Sequence, residues 1–386
     1  MTASLSVACL VLCVWIYLIF CRGGFWCAGE RDDATQLSNS EDGDWPTVAV
    51  IIPARDEASM LSRSFSSILD QNYPNLSVVL VDDNSSDDTA GAARQIVAGP
   101  GREAVILQGK ILPPAWTGKL WALHQGIIHA QTMKPSPHYL LLTDADILYA
   151  PGAIKRLVAR AKTNGFVLTS LMVKLHCESF AERALIPAFV FFFQMLYPFA
   201  WVNDSSARTA AAAGGCMLVE RLALEKAGGV TKIRGALIDD CALASLMKTE
   251  GPIWLGLSDQ VRSLRTYPEI GDIGQMVARS AYAQLRYSPP LLAVILAGMA
   301  VTYLAPPLLA IFGRHPANAV AAIAWALMIF AFLPILRFYH LSPLWAAALP
   351  LIAATYSAFT LNSGLEHWRG RGGTWKGRNQ ALSAQR

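Results

Sequence analysis

The sequence predicts an α/β domain on a mostly parallel sheet, flanked by apolar helices toward both ends of the chain. Three observations predict it: β-branched runs alternate with helical spacings from Val48 onward, acidic residues recur directly after those runs, and 53% of the 386 residues are hydrophobic with only 16% charged. Strands alternating with helices are the signature of parallel strands joined by crossovers. The composition is too apolar for a purely soluble protein.

Folding of the polar middle is expected to begin near Trp45. Val48 to Ile52 reads as a strand stopped by Pro53, and Leu61, Phe65, Ile68 and Leu69 give Ala58 to Leu69 helical spacing. Val78 to Val81 makes a second strand, followed by an Asp/Asn/Ser cluster and another helical stretch. Ala104 to Gln108 is a third strand, Lys119 to Ala130 a helix, and Tyr139 to Thr143 a buried strand. In open α/β sheets ligands sit beyond the carboxyl ends of strands. Pro53 to Glu57, Asp82 and Asp83, and Asp144 to Asp146 all follow strand ends and can converge on one crevice.

Residues 5 to 20 (LSVACLVLCVWIYLIF) form an uninterrupted apolar run, and Met1 to Ser4 lacks the positive n-region of a secretory signal. The run reads as an uncleaved anchor with its C-terminal side in the cytoplasm, a signal peptide being the competing reading. Leu291 to Gly313, Ala319 to Pro334 and Leu344 to Leu361 are further candidate spans. Three of them would place the basic tail (Arg369, Arg371, Lys376, Arg378) outside, so two spans rank above three. Ala184 to Trp201 is apolar and aromatic but carries Pro187 and Pro198. It reads as an interfacial segment or acceptor-channel lining, with a buried core helix as the alternative.

The expected organisation is an anchor over 1–22, a polar linker over 23–44, a catalytic domain over 45–287 that includes 184–201, a transmembrane block over 288–362 and a basic cytoplasmic tail over 363–386. The protein is expected in the inner, cytoplasmic membrane as a multi-pass chain with a cytoplasmic catalytic domain. The net charge of +4 comes without a basic stripe interleaved with aromatics, which argues against nucleic acid. Basic residues near the spans fit anionic lipid headgroups. Seven cysteines form no C-x-x-C pair and read as reduced and mostly structural. His124, His129, His138 and His176 match no zinc spacing.

Asp144 and Asp146 share one face of an extended segment after a fully apolar strand. A D-x-D triplet alone is a weak signal. The strand before it and Pro151-Gly152 after it place the pair at a strand mouth, where hard carboxylate oxygens suit Mg²⁺ or Mn²⁺ shared with a nucleotide diphosphate. Asp82 and Asp83 can accept hydrogen bonds from a ribose or base, while Ser85, Ser86 or Asp87 caps the following helix. Lys119 at a helix start either holds phosphate or is a surface lysine. Asp239 and Asp240 either open an exposed helix or supply a base that deprotonates an alcohol.

Several motifs in this order resemble the membrane-bound family 2 glycosyltransferases of GT-A fold: IIPARDE (Ile51 to Glu57), VDDNSSD (Val81 to Asp87), GKLWALHQG (Gly118 to Gly126), TDADILYAPGAI (Thr143 to Ile154), AAAGGCML (Ala211 to Leu218), IDDCALA (Ile238 to Ala244) and QLRY (Gln284 to Tyr287). The resemblance spans Val48 to Tyr287. It implies a nucleotide-sugar donor, with a UDP-sugar expected, held around Pro53, Ala54, Arg55, Glu57, Asp82, Asp83, Lys119 and Asp144. It implies metal at Asp146 and Asp144, Asp146 being the direct ligand, and inversion at the anomeric carbon with Asp240 as base. Asp239 stands where the family usually has Glu. Gly214 and Gly215 match the acceptor-side motif, and Gln284 and Arg286 the diphosphate-facing one. That last motif is one residue shorter than Q-x-x-R-W, with Tyr287 for Trp, which removes support for polymer synthesis. The C-terminal block, LSPLWAAALP and GTWKGR look most like the hopanoid-biosynthesis-associated enzymes, relatives of ceramide glucosyltransferase. A membrane lipid alcohol is the implied acceptor. Transfer to polyprenyl phosphate and a non-catalytic nucleotide-sugar-binding membrane protein are the alternatives.

Overall fold

The computed structural model describes residues 3–32, 45–97, 104–375 and 378–379. The chain packs into two units. A sheet unit comprises Glu30–His176, Trp201–Arg265 and Thr374–Arg386, and a helical unit comprises Met1–Gly29, Cys177–Ala200 and Thr266–Gly373.

Among the described residues, eight strands form the main sheet: β1 (Val48–Ala54), β2 (Leu76–Asp82), β3 (Ala104–Gln108), β4 (Tyr139–Thr143), β5 (Ile147–Tyr149), β6 (Leu168–Lys174), β7 (Cys216–Glu220) and β8 (Ile253–Ser263), in the order β3-β2-β1-β4-β7-β6-β8-β5. The β1–β2, β1–β4, β2–β3 and β6–β8 pairs are parallel, and β7 and β5 run antiparallel to their neighbours. The expected helix Ala58–Leu69 forms as read, burying Leu61, Phe65 and Ile68. β1 and β4 are buried at every position, as near-continuous apolar runs in covered parallel strands should be.

β1 runs two residues beyond the expected stop, through Pro53. Its pairing with β4 ends at Ile51 opposite Leu142, and Ala54 turns its carbonyl to the Asp83 N–H on the β2 side. Pro53 therefore faces the β4 side past the last rung, where a missing N–H breaks no ladder bond.

The linker expected over 23–44 is partly ordered. Residues 25–27 form a short 3-10 turn, Arg31 bridges to Leu257, and the Ser258 hydroxyl donates to Asp32 at 2.7 Å. Residues 33–44 lie outside the described residues.

Ala184 to Trp201 falls largely within a helix, Phe180–Leu196, of the helical unit, whose Leu185, Ile186, Pro187, Ala188, Val190, Phe191 and Phe192 are all buried. Aromatic bulk on several faces demands partners on several faces. Ser179 and Glu182 cap its start reciprocally, and buried Glu182 also accepts the Tyr267 N–H at 2.6 Å. This segment and residues 266–287, both expected in the catalytic domain, pack with the apolar helices.

Among the described residues, four helices are long and apolar enough to cross a membrane: Ala3–Phe20, Pro289–Phe312, Ala317–Phe338 and Pro343–Trp368. Three are C-terminal where two were ranked first, and the last continues past the expected boundary at 362. Prolines 289, 290, 343 and 350 sit in first turns, where a missing N–H costs nothing, and Pro306 follows a π-helical stretch over Ala300–Leu304. Tyr356 donates to the Leu185 carbonyl at 2.8 Å and Trp15 to that of Thr302 at 3.0 Å.

Candidate active site

Parallel register brings the carboxyl ends of β1, β2 and β3 level, with Ala54 opposite Asp82 and Asp82 opposite Gln108. The loops that follow are stitched together. The Asp56 N–H donates to the Ser85 hydroxyl at 3.0 Å, Glu57 N–H to Thr89 at 2.9 Å and Ala58 N–H to Asp87 at 3.1 Å. Arg55 donates to the carbonyls of Asp83 at 2.6 Å and Asn84 at 3.1 Å. These bonds hold two irregular loops as one wall, and they serve positive φ angles of 52° at Asp56 and 54° at Asn84. Asp83 is fully buried. Asp82 is partly committed to the turn, since its Oδ1 accepts both the N–H and the hydroxyl of Ser85. Asp87 accepts the Thr89 N–H at 3.1 Å in an Asx-type turn, and the first helical carbonyl acceptor is Asp88, one residue past the three expected to cap there.

At the mouth of β4, Asp146 accepts from the Ser263 hydroxyl at 2.9 Å and from Arg265 Nε at 3.2 Å. The other end of the same guanidinium meets Glu57 Oε1 at 2.5 Å. Asp144 instead meets the Lys119 ammonium at 2.8 Å. Lys119 stands in the first turn of Gly118–Gln131, whose entry Thr117 caps. It is not a surface lysine: its Nζ also lies 3.2 Å from Asp239 Oδ2. One cation therefore joins the D-A-D station to the Asp239-Asp240 station.

Asp239 and Asp240 open the helix Asp239–Met247, yet they are not exposed caps. The Gly214 N–H donates to Asp240 Oδ2 at 3.0 Å, and the Cys241 N–H to its Oδ1 at 2.7 Å. Burial first, then the Asp239 charge, raises the Asp240 carboxyl to about 6, while Lys119 and these two backbone donors pull the other way. Burial likewise raises Asp144, opposed by Lys119 and reinforced by Asp146 and Asp239. For Lys119 burial works downward, but Asp144 and Asp239 outweigh it and hold the ammonium above its usual range. Asp144 keeps 37% of its side chain open to solvent. The site is a recess crowded by protein atoms but open at its mouth.

A Cβ on Gly214 would stand 3.1 Å from Lys119 Nζ and 3.5 Å from Asp240 Oδ2. On Gly215 it would stand 3.1 Å from Val173 and 3.3 Å from Ile147. The paired glycines let the backbone approach the acid closely.

The sheet unit thus gathers Arg55, Glu57, Asp82, Asp83, Lys119, Asp144, Asp146, Gly214, Gly215, Asp239 and Asp240, with Pro53 and Ala54 ending β1. Gln284 and Arg286 belong to the helical unit, where Gln284 donates to the Tyr197 hydroxyl at 2.6 Å. Sequence reasoning missed Ser263 and Arg265. No motif marks them, and their carboxylate partners are 117 to 208 residues away in the chain.

Among the described residues no three His, Cys, Asp or Glu side chains converge as a metal cluster. Asp144 and Asp146 remain as donors. Two carboxylates fit Mg²⁺ or Mn²⁺ when phosphate oxygens and water complete the shell, so the residues suit an ion that binds with a diphosphate. All seven cysteines are free thiols, in line with the sequence reading.

Residues 49–228 match the family described as glycosyl transferase family 2. The 4,4'-diaponeurosporenoate glycosyltransferase of Staphylococcus aureus (strain bovine RF122 / ET3-1) is 30% identical over 120 residues, covering 31% of this chain and 29% of that protein. The same enzyme from strain USA300 is 30% identical over 119 residues, again 31% and 29%. The chain therefore matches under a third of the length of these relatives. Among solved structures, the mannosyltransferase PcManGT from Pyrobaculum calidifontis, in complex with GDP-Man and Mn2+, superposes with a TM-score of 0.53 at 20% identity over 95% of this chain and 99% of that one. The family match over residues 49–228 and the shared fold support a family 2 glycosyltransferase domain in the sheet unit. The expected fold class, an α/β GT-A domain on a mostly parallel sheet, holds.

Proposed function

We propose that this protein moves a single sugar from a nucleotide-sugar donor, a UDP-sugar in the first instance, to a membrane lipid with inversion at the anomeric carbon. The observation that carries the reading is Asp240, raised to about 6 and fixed by the Gly214 and Cys241 N–H groups. Such a carboxylate is ionised at neutral pH yet more basic than an exposed one, as general-base work on a hydroxyl requires.

The acceptor hydroxyl gives its proton to Asp240 as its oxygen bonds to the anomeric carbon. The bond from that carbon to the diphosphate oxygen breaks, and the nucleoside diphosphate departs. Arg55 braces the nucleotide wall, with Pro53, Ala54, Glu57, Asp82 and Asp83 forming its surface. The buried Lys119 cation pairs with Asp144 and Asp239 beside the reacting centre. Gly214 and Gly215 leave room for the acceptor. A divalent ion at Asp146 and Asp144 would neutralise the charge of the leaving diphosphate.

A lipid acceptor is supported by the four apolar helices and by the lipid-like acid in the name of the curated relatives. A hopanoid alcohol is the particular acceptor proposed. The protein is placed in the inner membrane with its sheet unit in the cytoplasm. The test is mass spectrometry of membrane lipid extract incubated with the purified protein, Mg²⁺ or Mn²⁺ and a panel of nucleotide sugars, with Asp146→Ala as control. A lipid mass gain of one sugar, absent from the control, supports the reading. A gain only when polyprenyl phosphate is added would replace the acceptor. Donor binding without any transfer would reject catalysis.

A further inference from the structure

We infer that the Arg265 guanidinium competes with a divalent ion for Asp146 and thereby ties metal binding to donor binding. The inference rests on the metal-assisted reading above. It starts from one guanidinium clasping two carboxylates from different loops: Glu57 after β1 at 2.5 Å and Asp146 after β4 at 3.2 Å. Both acid side chains are 9% exposed, whereas that of Arg265 is 29% exposed. The exit of β8 is fixed to the same residue, with the Leu264 N–H donating to the Asp146 carbonyl at 2.8 Å and the Ser263 hydroxyl to its carboxylate at 2.9 Å. Asp144 is taken in the same way by Lys119. Each carboxylate of the D-A-D thus already holds a cation of the chain.

A divalent ion arriving alone must displace Arg265 from a shielded acid and offers the freed guanidinium nothing in exchange. An ion arriving with a diphosphate does offer something. Guanidinium groups match phosphate oxygens in a planar, two-point fork, so Arg265 exchanges one anion for another while Glu57 retains it at the edge of the site. Arg265 is a positioning residue on this account, and metal and donor bind with reciprocal coupling.

The experiment measures Mn²⁺ binding to the purified full chain by the electron paramagnetic resonance signal of free Mn²⁺, with and without UDP or GDP. Wild-type protein should bind Mn²⁺ weakly alone and at least about tenfold more tightly with the diphosphate. Arg265→Gln, which keeps N–H donors but loses the charge, should bind Mn²⁺ alone roughly tenfold more tightly than wild type, with the diphosphate effect reduced to match. Arg265→Lys, which keeps the charge but loses the fork, should bind Mn²⁺ alone about as weakly as wild type and show a smaller diphosphate effect. A misfolded variant loses binding, so a gain reports the exchange. If Arg265→Gln binds Mn²⁺ alone no more tightly than wild type while diphosphate still strengthens wild-type binding, the inference falls and the functional reading stands. If no protein binds Mn²⁺ under any condition although nucleotide binds, both this inference and the metal part of the functional reading fall.

Discussion

Lys119 and Asp144 meet at 2.8 Å in the recess of the sheet unit. Because the same ammonium also reaches Asp239, a change in its charge is felt at the donor-side and transfer-side acids together.

Lys119→Met should therefore alter the pH profile as well as the rate. Wild-type kcat/KM should fall as pH drops through about 6, where Asp240 gains its proton and can no longer act as base. Lys119 lowers that value, so its removal should move the acidic limb upward by about one unit or more. Turnover at neutral pH should drop by roughly 10² to 10³. A pH series of initial rates for both proteins checks the direction, and an unmoved limb would separate Lys119 from Asp240.

Gly214→Ala places a methyl group 3.1 Å from Lys119 Nζ and 3.5 Å from Asp240 Oδ2. The fold can absorb that contact if the Lys119 ammonium gives by a few tenths of an ångström, while Asp240 stays at ordinary contact distance. A 1 Å misplacement costs on the order of a hundredfold, so this smaller shift should lower kcat by about tenfold with little change in apparent melting temperature. Steady-state rates beside thermal unfolding in detergent measure both.

Metal removal should discriminate between nucleotides. If the ion is completed by diphosphate oxygens, chelation with EDTA should abolish transfer and weaken UDP binding by about tenfold or more while leaving UMP binding nearly unchanged. Isothermal titration with each nucleotide, before and after Mn²⁺ is restored, reads the difference. Equal loss for both nucleotides would place the ion away from the diphosphate.

The first half of the sheet was legible because its signals are local. The strands at Ala104–Gln108 and Tyr139–Thr143 and the helix Ala58–Leu69 form at their expected bounds. β-branched runs, helical spacing and turn residues within ten or so positions suffice there. Farther along, β5 is only three residues long, and β8 turns polar after its apolar start, with Ser258, Asp259, Gln260, Arg262 and Ser263, so neither shows clean alternation. The division into units was less legible still. Phe180–Leu196 is as apolar as a surface stripe, and only its packing shows which faces are covered. In the site, the acids after β1, β2 and β4 could be read because they follow strand ends, whereas Asp239 and Asp240 open a helix and stood out only as an acidic pair. Arg265 could not, because charge pairing over a separation of 208 residues leaves no trace in local order. Asp82 is intermediate: its strand-end place was visible, but its commitment to Ser85 depends on the turn adopted.

The central claim is that Asp240 takes the acceptor proton. Asp240→Asn keeps size and the contact with the Cys241 N–H but cannot accept that proton, so its effect is the most direct test. Single-turnover transfer of a labelled sugar to lipid, measured beside nucleotide affinity on the same sample, should show a loss of about 10² to 10⁴ in rate with affinity for the nucleotide diphosphate unchanged. Transfer at the wild-type rate would contradict the account.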